Sequence, residues 1–548
     1  MLLPTISKLC EAIIHHRLLE HCMKNSIISE KQAAYLKGDS TINQLLYLIN
    51  KIRVTWGNNK ILQGLFLDIS AAFDKIWHKA LLAKLKQICI KGKFLHLFES
   101  YLTNRKQIVV VDGVKSNIED VKAGCPQGSK LGPLLFIIFI NDIQKDLESD
   151  ILIFADDTTL LAEGKNSFET SAIINRDLVK IHNWATRWKV TFNSTKSKYI
   201  LFSKNRLPDS PLLTFGPNII DRVETHKHLG IILTYNLDWA PHVNYICLKA
   251  NRKLHVLRSV QYLSRSTLDL LYKLTVRSQI DYGLHIFFHS LKQTEIRRLS
   301  QVQYRAGKLV SGALHLTSQI RLERDLGWET IQARAEMLGL TAFYKIHFNM
   351  TRPLIRSCMT PAENKLVNLR NNGNKRQRHP YYGAQHAKSF FPYFTKLWND
   401  LPQEQRTTDL IEFKIKLKSK YKPPKCKFYS TGCKQGNKLL TRLRLERSFL
   451  KAHSFNIGFS ESPQCDNCGA REENNQHILL ECPKFCSQRK FLLDYVTTQI
   501  SSFTKLSKKE KTKILLFGYN PENMDYIHIN RNVTLAVQSF LLKTKRFN

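Results

Sequence analysis

The sequence predicts an α+β fold divided into several units, and three observations support this. Short apolar runs closed by acids or glycine turns, such as Ile151–Phe154 and Thr158–Ala162, occupy the first 235 residues and read as strands. From residue 236 onward apolar positions recur at helical spacing. A cysteine and histidine group at 465–482 marks a small separate unit. A length of 548 residues suits three or four domains, at roughly 100–200 residues each.

Charge narrows the choice of partner. Lys and Arg number 83 against 45 Asp and Glu, a net charge of +38. The basic residues are interleaved with aromatic and apolar runs, so this is a folded basic chain that favours a polyanion, either nucleic acid or an anionic membrane surface. No apolar run reaches the about 18–20 residues of a membrane span, and Leu131–Ile140 is too short. The start, Met1-Leu-Leu-Pro-Thr, lacks the basic and apolar regions of a secretory signal. Twelve cysteines, mostly single, read as reduced intracellular thiols.

Taken in order, residues 3–25 have helical periodicity. Ile27–Leu36 then leads into Lys37-Gly-Asp-Ser-Thr-Ile42, a glycine turn with a helix N-cap at Ser40 or Thr41, and the next helix runs to about Trp56. Lys37 is placed to face a phosphate, or is simply exposed. Leu65–Leu67 reads as a buried strand with Asp68 at its end, and Ser70–Trp77 as the opening of a helix. An acid at the C-terminal end of such a strand is where ligands bind, although a helix N-cap explains Asp68 as well. Phe73 points into the same cleft or packs in the core. Asp74 fits the first helical turn, offsetting the dipole.

Leu81–Leu102 reads as one amphipathic helix. Gln107–Val111 and Gly113–Val121 read as strands joined at Asp112-Gly113. Ala123-Gly-Cys-Pro-Gln-Gly-Ser-Lys-Leu-Gly-Pro133 is a loop whose glycines let backbone approach a ligand closely, followed by a helix Leu134–Ile143. The hairpin at Asp156 and Asp157 comes next. Two adjacent carboxylates between apolar strands repel each other and resist burial, a cost that a divalent cation removes, although Asp also favours turns for its own reasons. A helix Asn175–Trp188, a strand pair Lys189–Phe192 and Tyr199–Phe202, and a short strand Thr225–Leu233 complete this part.

These residues carry a resemblance. Leu67-Asp-Ile-Ser-Ala-Ala-Phe-Asp74, Gly124-Cys-Pro-Gln-Gly-Ser129, Phe154-Ala-Asp-Asp157, Asn193-Ser-Thr-Lys-Ser197 and His228-Leu-Gly-Ile231 follow the order and spacing of the palm motifs of reverse transcriptases. Lys37-Gly-Asp-Ser-Thr resembles the family's finger motif. The Phe-Ala-Asp-Asp form and the long basic C-terminal part resemble the non-LTR, LINE-type retrotransposon polymerases of the jockey-like kind. The resemblance implies a right-hand polymerase with fingers and palm over 1–235 and a helical thumb and connection over 236–365. It implies two Mg²⁺ ions held by Asp68, Asp156, Asp157 and the Ile69 carbonyl. Phe73 then resembles the steric gate against a ribose 2′-hydroxyl, and Gln127 and Gly128 the loop that positions nucleotide and template. Lys196 resembles the lysine that protonates pyrophosphate, and Leu229 and Gly230 lie in the primer grip. The implied partners are an RNA template, a DNA primer or target and deoxynucleoside triphosphates, with no membrane. The implied location is intracellular: nuclear, with a cytoplasmic ribonucleoprotein stage. The family's Arg-Pro-Ile-Ser before Leu-Leu-Pro and its upstream endonuclease have no counterpart here, so an N-terminally truncated form is expected.

In the second half, Trp239–Val260, Ser264–Asp281, Gln293–Ser311 and Glu329–Asn349 read as helices. Arg252, Lys253, Arg258, Arg265, Arg277, Arg297, Arg298, Arg305 and Lys308 recur along them, which suits either backbone phosphate contacts or solvated faces. Residues 366–388 read as a basic linker and 389–460 as a helical basic region, with the aromatics of Ser389–Leu401 in a core. Cys465, Cys468, His477 and Cys482 form Cys-x₂-Cys-x₈-His-x₄-Cys, which suits a closed tetrahedral Zn²⁺ site within 461–490, with Cys486 as a competing ligand. The group resembles the C-terminal knuckle of LINE-type proteins. Thr441-Arg-Leu-Arg-Leu445 upstream offers phosphate contacts, Lys505–Lys513 is a solvated charge run, and 491–548 reads as a basic tail region. The competing expectation is an inactive or domesticated remnant that only binds nucleic acid.

Overall fold

The computed structural model describes residues 4–126, 128–204, 209–360, 376–378, 383–424 and 426–547. The chain divides into two units, one of residues 1–242 and 339–406, the other of 243–338 and 407–548.

The first unit is built on a mixed sheet around β1 (Ile61–Leu67). Every residue of β1 after Ile61 is buried, as in a strand covered on both faces, and Gln63 within it accepts from the Thr170 and Ser171 hydroxyls. Gly64 is required there, because a Cβ would meet the Phe202 ring at 2.9 Å. Chain order then gives two exposed ribbons, β2 (Lys106–Gln107) with β5 (Glu119–Asp120) and β3 (Val110–Val111) with β4 (Val114–Lys115). Asp112 and Gly113 turn the second ribbon, both at positive φ as a two-residue hairpin demands. The sheet itself runs β6 (Asp150–Phe154), β7 (Asp157–Gly164), β1, β8 (Lys198–Phe202), β10 (Asn218–Arg222) and β9 (Leu213–Phe215). β1 is antiparallel to both of its neighbours, and its register sets Leu67 opposite Thr158. A separate hairpin follows, β11 (Thr225–His228) with β12 (Ile231–Thr234).

Helix Ser167–Trp188 lays Ile174, Leu178, Ile181 and Ala185 into the core at helical spacing. Leu131–Ile140 is apolar all round and accordingly central, with nine of its ten residues buried. Ser40 caps helix Thr41–Gly57, accepting from the Asn43 N–H. The aromatic segment is core as expected, with Phe390, Phe391, Phe394 and Trp398 buried in helix Phe390–Asn399.

Several local readings are corrected. Residues 70–74 form a turn instead of a helix start, because Ala71 adopts φ +49°, and the helix begins at His78. The single helix expected over 81–102 is two, His78–Gln87 and Gly92–Leu102, parted where Cys89 and Gly92 take positive φ. Residues 189–192 make no strand. Lys189 is the left-handed cap of the preceding helix, and only Phe192 bridges to Ile69. The one strand expected over 225–233 folds back on itself through Leu229 (φ +43°) and Gly230 (φ +84°). Of the expected linker, residues 376–378 and 383–388 are described, with Ala384–Ala387 a helical turn; the remainder lies outside the described residues.

The second unit is helical, and its elements include Gln293–Ser311, Gln319–Leu326, Lys434–Arg444, Cys486–Gln499 and Ile527–Lys543. Its C-terminal core gathers Leu439, Leu443, Ile478, Leu492, Val537 and Phe540 around the cysteine group. Among the described residues no helix is long and apolar enough to cross a membrane.

Candidate functional site

Three carboxylates converge at one end of β1 and β7. Asp68 directly follows β1, whose last residue pairs with Thr158, so the antiparallel register carries it opposite Asp157, the first residue of β7. Asp156 occupies the two-residue turn between β6 and β7, whose closing pair is Phe154 with Asp157. The three are electrostatically coupled. Burial chiefly, then the charges of Asp156 and Asp68, raise the Asp157 carboxyl to about 6. Asp156 is raised first by burial and further by Asp68, against a backbone hydrogen bond that lowers it. Like charges held this close favour protonation until a cation offsets them.

The segment after helix Ser167–Trp188 presses onto Asp68. The Asp68 N–H donates to Ser197 Oγ at 3.2 Å, and the Asn193 N–H donates to the Asp68 carbonyl at 2.8 Å. Asn193 Oδ1 accepts from the N–H groups of Thr195 and Lys196, which shapes a turn that sends Lys196 toward the acids. Lys196 Nζ lies 3.9 Å from Asp68 Oδ2, a loose pair on a largely exposed side chain. Ile69 is buried and bridges Phe192.

Phe73 follows Asp68 by five residues, at the turn that precedes the next helix. Its ring packs on Phe136 at 4.7 Å and meets the Tyr35 ring edge-on at 6.4 Å. The 123–130 loop is fastened beside it, because the Cys125 N–H donates to the Phe73 carbonyl and the Gly124 N–H to that of Ile76. Gly124, at φ +86°, comes so close that a Cβ would stand 2.7 Å from the Asp74 carbonyl oxygen. Gly128 also has positive φ, and the next residue, Ser129, accepts from the N–H groups of Leu131 and Gly132 at the start of the following helix. Gln127 lies outside the described residues. Lys37 is exposed on the Lys37-Gly38 turn.

Leu229 and Gly230 form the tip of the β11–β12 hairpin. That hairpin stands on β1 through Phe66, whose ring stacks on His226 at 4.4 Å and packs on His228 at 4.9 Å. Phe66 is two residues before Asp68, hence on the same face of the strand.

Sequence reasoning missed Gln32 and Tyr35. Residues 31–33 pair with Ile153 along the edge of β6, through Ile153 N–H to Lys31 O and Ala33 N–H to Ile153 O. This buries Gln32, whose Oε1 accepts from the Ala34 N–H at 2.9 Å and the Ala155 N–H at 3.2 Å. Ala155 holds φ +55° in the turn that presents Asp156, so Gln32 braces a strained position. Tyr35 lies near enough to Asp156 for that carboxylate to raise its phenol, after burial as the larger cause. An isolated Gln and Tyr in an apolar stretch carry no spacing signal; only the pairing of 31–33 with Ile153 reveals them.

A second group lies in the other unit. The ligand atoms of Cys465, Cys468, His477 and Cys482 all lie within 4.8 Å of one another, and Cys486 is outside that set. His477 Nε2 faces Cys468 Sγ at 3.4 Å while Nδ1 faces Glu481 at 3.8 Å, the outer-carboxylate arrangement that orients a ligating imidazole. Three soft thiol sulfurs and one imidazole at this spacing fit a tetrahedral Zn²⁺ with no open position.

The basic residues divide into two classes. Arg265 and Arg444 are buried on Asp325, at 2.6 and 2.7 Å, and Arg277 is buried on Asp281, Glu329 and Gln303. Arg442 donates to the Gly312 carbonyl and lies over the Phe449 ring. The phosphate contacts expected of Arg442 and Arg444 are therefore corrected: internal acids, a carbonyl and rings take their donors. Arg258 and Arg305 remain on the surface and line one recess with His255. Lys308 stands near enough to both that, after burial, their charges lower its pKa.

Residues 1–246 match the family described as Reverse transcriptase (RNA-dependent DNA polymerase). The first 246 residues are thus similar to reverse transcriptases. The chain is similar to a probable RNA-directed DNA polymerase from transposon X-element of Drosophila melanogaster, 31% identical over 342 residues, covering 60% of this chain and 37% of that one. The RNA-directed DNA polymerase from mobile element jockey of the same fly is 30% identical over 338 residues, covering 59% of this chain and 36% of the relative. The matched stretch thus spans little more than a third of either relative. A telomerase chain from Candida tropicalis overlays with a TM-score of 0.31 at 13% identity, over 61% of this chain and 56% of that one, too loosely to carry an argument.

Proposed function

We propose that this chain is an RNA-directed DNA polymerase of the non-LTR retrotransposon kind, extending a DNA primer on an RNA template. The observation that carries this reading is the convergence of Asp68 with Asp156 and Asp157 at one end of β1 and β7. Residues 1–235 act as palm and fingers, and the helices after 235 as a thumb. Asp68, Asp156, Asp157 and the Ile69 carbonyl would hold two Mg²⁺ ions, an all-oxygen set of the hardness that metal prefers. When bound, that pair lowers the pKa of the primer 3′-hydroxyl and neutralises charge on the departing pyrophosphate.

The remaining work belongs to side chains. Phe73, held between Phe136 and Tyr35, sets the floor under the incoming sugar, where a 2′-hydroxyl collides with the ring. Gln127 and Gly128 position the nucleotide and template from the fastened 123–130 loop, and Lys37 meets a phosphate. Lys196, free to swing from Asp68, delivers a proton to the leaving phosphate oxygen. Leu229 and Gly230 hold the primer end from a hairpin seated on Phe66. Cys465, Cys468, His477 and Cys482 would hold a structural Zn²⁺. The surface cations Arg258, Arg305 and Lys308 attract the duplex backbone. The chain works in the nucleus after a cytoplasmic ribonucleoprotein stage.

The deciding experiment is Mg²⁺-dependent dTTP incorporation on poly(rA)/oligo(dT). Asp156→Asn abolishes incorporation while RNA binding persists. Equal incorporation by wild type and Asp156→Asn defeats the mechanism. A wild type that binds RNA but never extends the primer leaves a binding protein only.

A further inference from the structure

The C-terminal helices carry a feature that polymerisation does not use. Helix Cys486–Gln499 and helix Ile527–Lys543 enclose a groove of about 350 Å³. Its floor is apolar, made by Leu492, Ala536 and Phe540. On its rim Phe491 is 76% exposed and Tyr495 43%, one helical turn apart on the same face. Other rings are exposed, Phe168, Tyr262 and Phe459 among them, but Phe491 and Tyr495 stand side by side on the rim of an apolar groove.

We propose that this groove binds unpaired bases of a single-stranded nucleic acid, stacked on Phe491 and Tyr495. The polar groups of the groove suit a base better than an aliphatic side chain. Gln488 and Asn532 each offer both a donor and an acceptor, the complement of a base edge. Asn532 Nδ2 donates to Gln499 Oε1 at 3.1 Å, which orients that amide. Lys543 stands at the groove as the cation for an adjoining phosphate. The surroundings are electropositive: residues 484–545 hold eleven Lys or Arg against four Asp or Glu, which attracts a polyanion and disfavours a basic peptide. The helix bearing the rings is also anchored to the cysteine group, since Arg489 Nη2 donates to the Cys482 carbonyl at 2.5 Å. Metal binding at that group would hold Phe491 at a fixed attitude.

The test uses the full chain without dNTPs or Mg²⁺, so its outcome is independent of polymerisation. A short oligo(U) RNA and an oligo(dT) of equal length are titrated at about 0.3 M salt, where phosphate attraction is largely screened. Base stacking of ordinary strength predicts that Phe491→Ala weakens binding about five- to a hundredfold, that Phe491→Leu weakens it as much, and that Phe491→Trp preserves it. Photocross-linking of 4-thiouridine RNA to the wild type maps to peptides containing Phe491 or Tyr495, a readout that survives if a variant fails to fold. Phe491→Leu binding like wild type, or cross-links confined to other segments, overturns the proposal. Which of the two oligonucleotides binds more tightly tells only whether RNA or DNA is preferred, and loss of either in Phe491→Leu supports the proposal.

Discussion

Replacing Gln32 with Met removes the brace under the Asp156 turn while keeping side-chain volume. Two buried backbone donors, Ala34 N–H and Ala155 N–H, lose their acceptor. Each unsatisfied donor costs about 1–3 kcal/mol. Part of that is returned, because Gln32 Nε2 is itself buried with no hydrogen-bond partner, and Met removes it. A net loss of about 2–3 kcal/mol follows. The effect is not spread evenly. Ala155 sits at φ +55°, a conformation that costs an L-residue roughly 1–2 kcal/mol, and without Gln32 the turn is released to relax. Asp156 then drifts from Asp68 and Asp157, and a displacement of about 1 Å at such a site costs up to about a hundredfold in rate. Primer extension on poly(rA)/oligo(dT) would show kcat down ten- to a hundredfold with little change in the KM for dTTP, and urea unfolding would show the stability loss. Ala155→Gly, free to take positive φ, restores part of kcat in the Gln32→Met background. Unchanged kcat in Gln32→Met, or no recovery with Ala155→Gly, refutes the brace.

Acid destabilises the fold through buried neutral histidines. Burial lowers His285 and His226 to about 4 and His228 to about 3, against about 6.5 unfolded, so their contribution is complete above pH 6.5 and is lost as pH falls toward 4. About 2 kcal/mol per histidine is gone by pH 5, which urea melts at pH 7.5, 6 and 5 would register as a falling midpoint. Cys482→Ser or a strong chelator lowers bound zinc from one per chain to none and melts the Leu439–Phe540 core early, as protease cleavage within 461–545 would report; full protection without metal counts against a zinc site. Gly339→Ala places a Cβ 1.9 Å from Phe394 Cζ, so overpacking costs about 1–3 kcal/mol, measured as a depressed Tm.

The site was legible where its chemistry is written in adjacent residues. Asp156-Asp157 between two apolar runs announces its own hairpin, and Cys-x₂-Cys-x₈-His-x₄-Cys announces its own cluster. Strand periodicity also placed Asp68 at the end of β1. What escaped was set by contacts distant in sequence or by backbone angles that spacing does not encode. The helical reading of 70–77 failed at Ala71, whose positive φ is consistent with a chain that must carry the Phe73 carbonyl to Cys125. One helix became two at Cys89 and Gly92 because no proline or cap marked the break. Gln32 was invisible because its role depends on Ile153, more than a hundred residues away.

The arginines teach the complementary lesson about charge. Read along the helices, Arg258, Arg265, Arg277 and Arg305 are equivalent cations. Folding separates them by what lies opposite. Asp325 stands between Arg265 and Arg444, and Asp281 with Glu329 meets Arg277, so those guanidiniums are spent on internal order. Arg258 and Arg305 line a recess whose lining holds no acid, and after burial their charges further lower the Lys308 pKa. A cation with a buried carboxylate partner gains nothing from an arriving phosphate, whereas crowded cations gain relief from their mutual repulsion as well as attraction. Arg258→Ala and Arg305→Ala should therefore each flatten the salt dependence of RNA binding by about one unit of log–log slope. Arg265→Ala should instead unfold the helical unit, because it strands Asp325 with one partner in the interior, a loss of about 3–5 kcal/mol. If Arg265→Ala changed the salt slope and left stability intact, the division between structural and phosphate-facing arginines would be wrong.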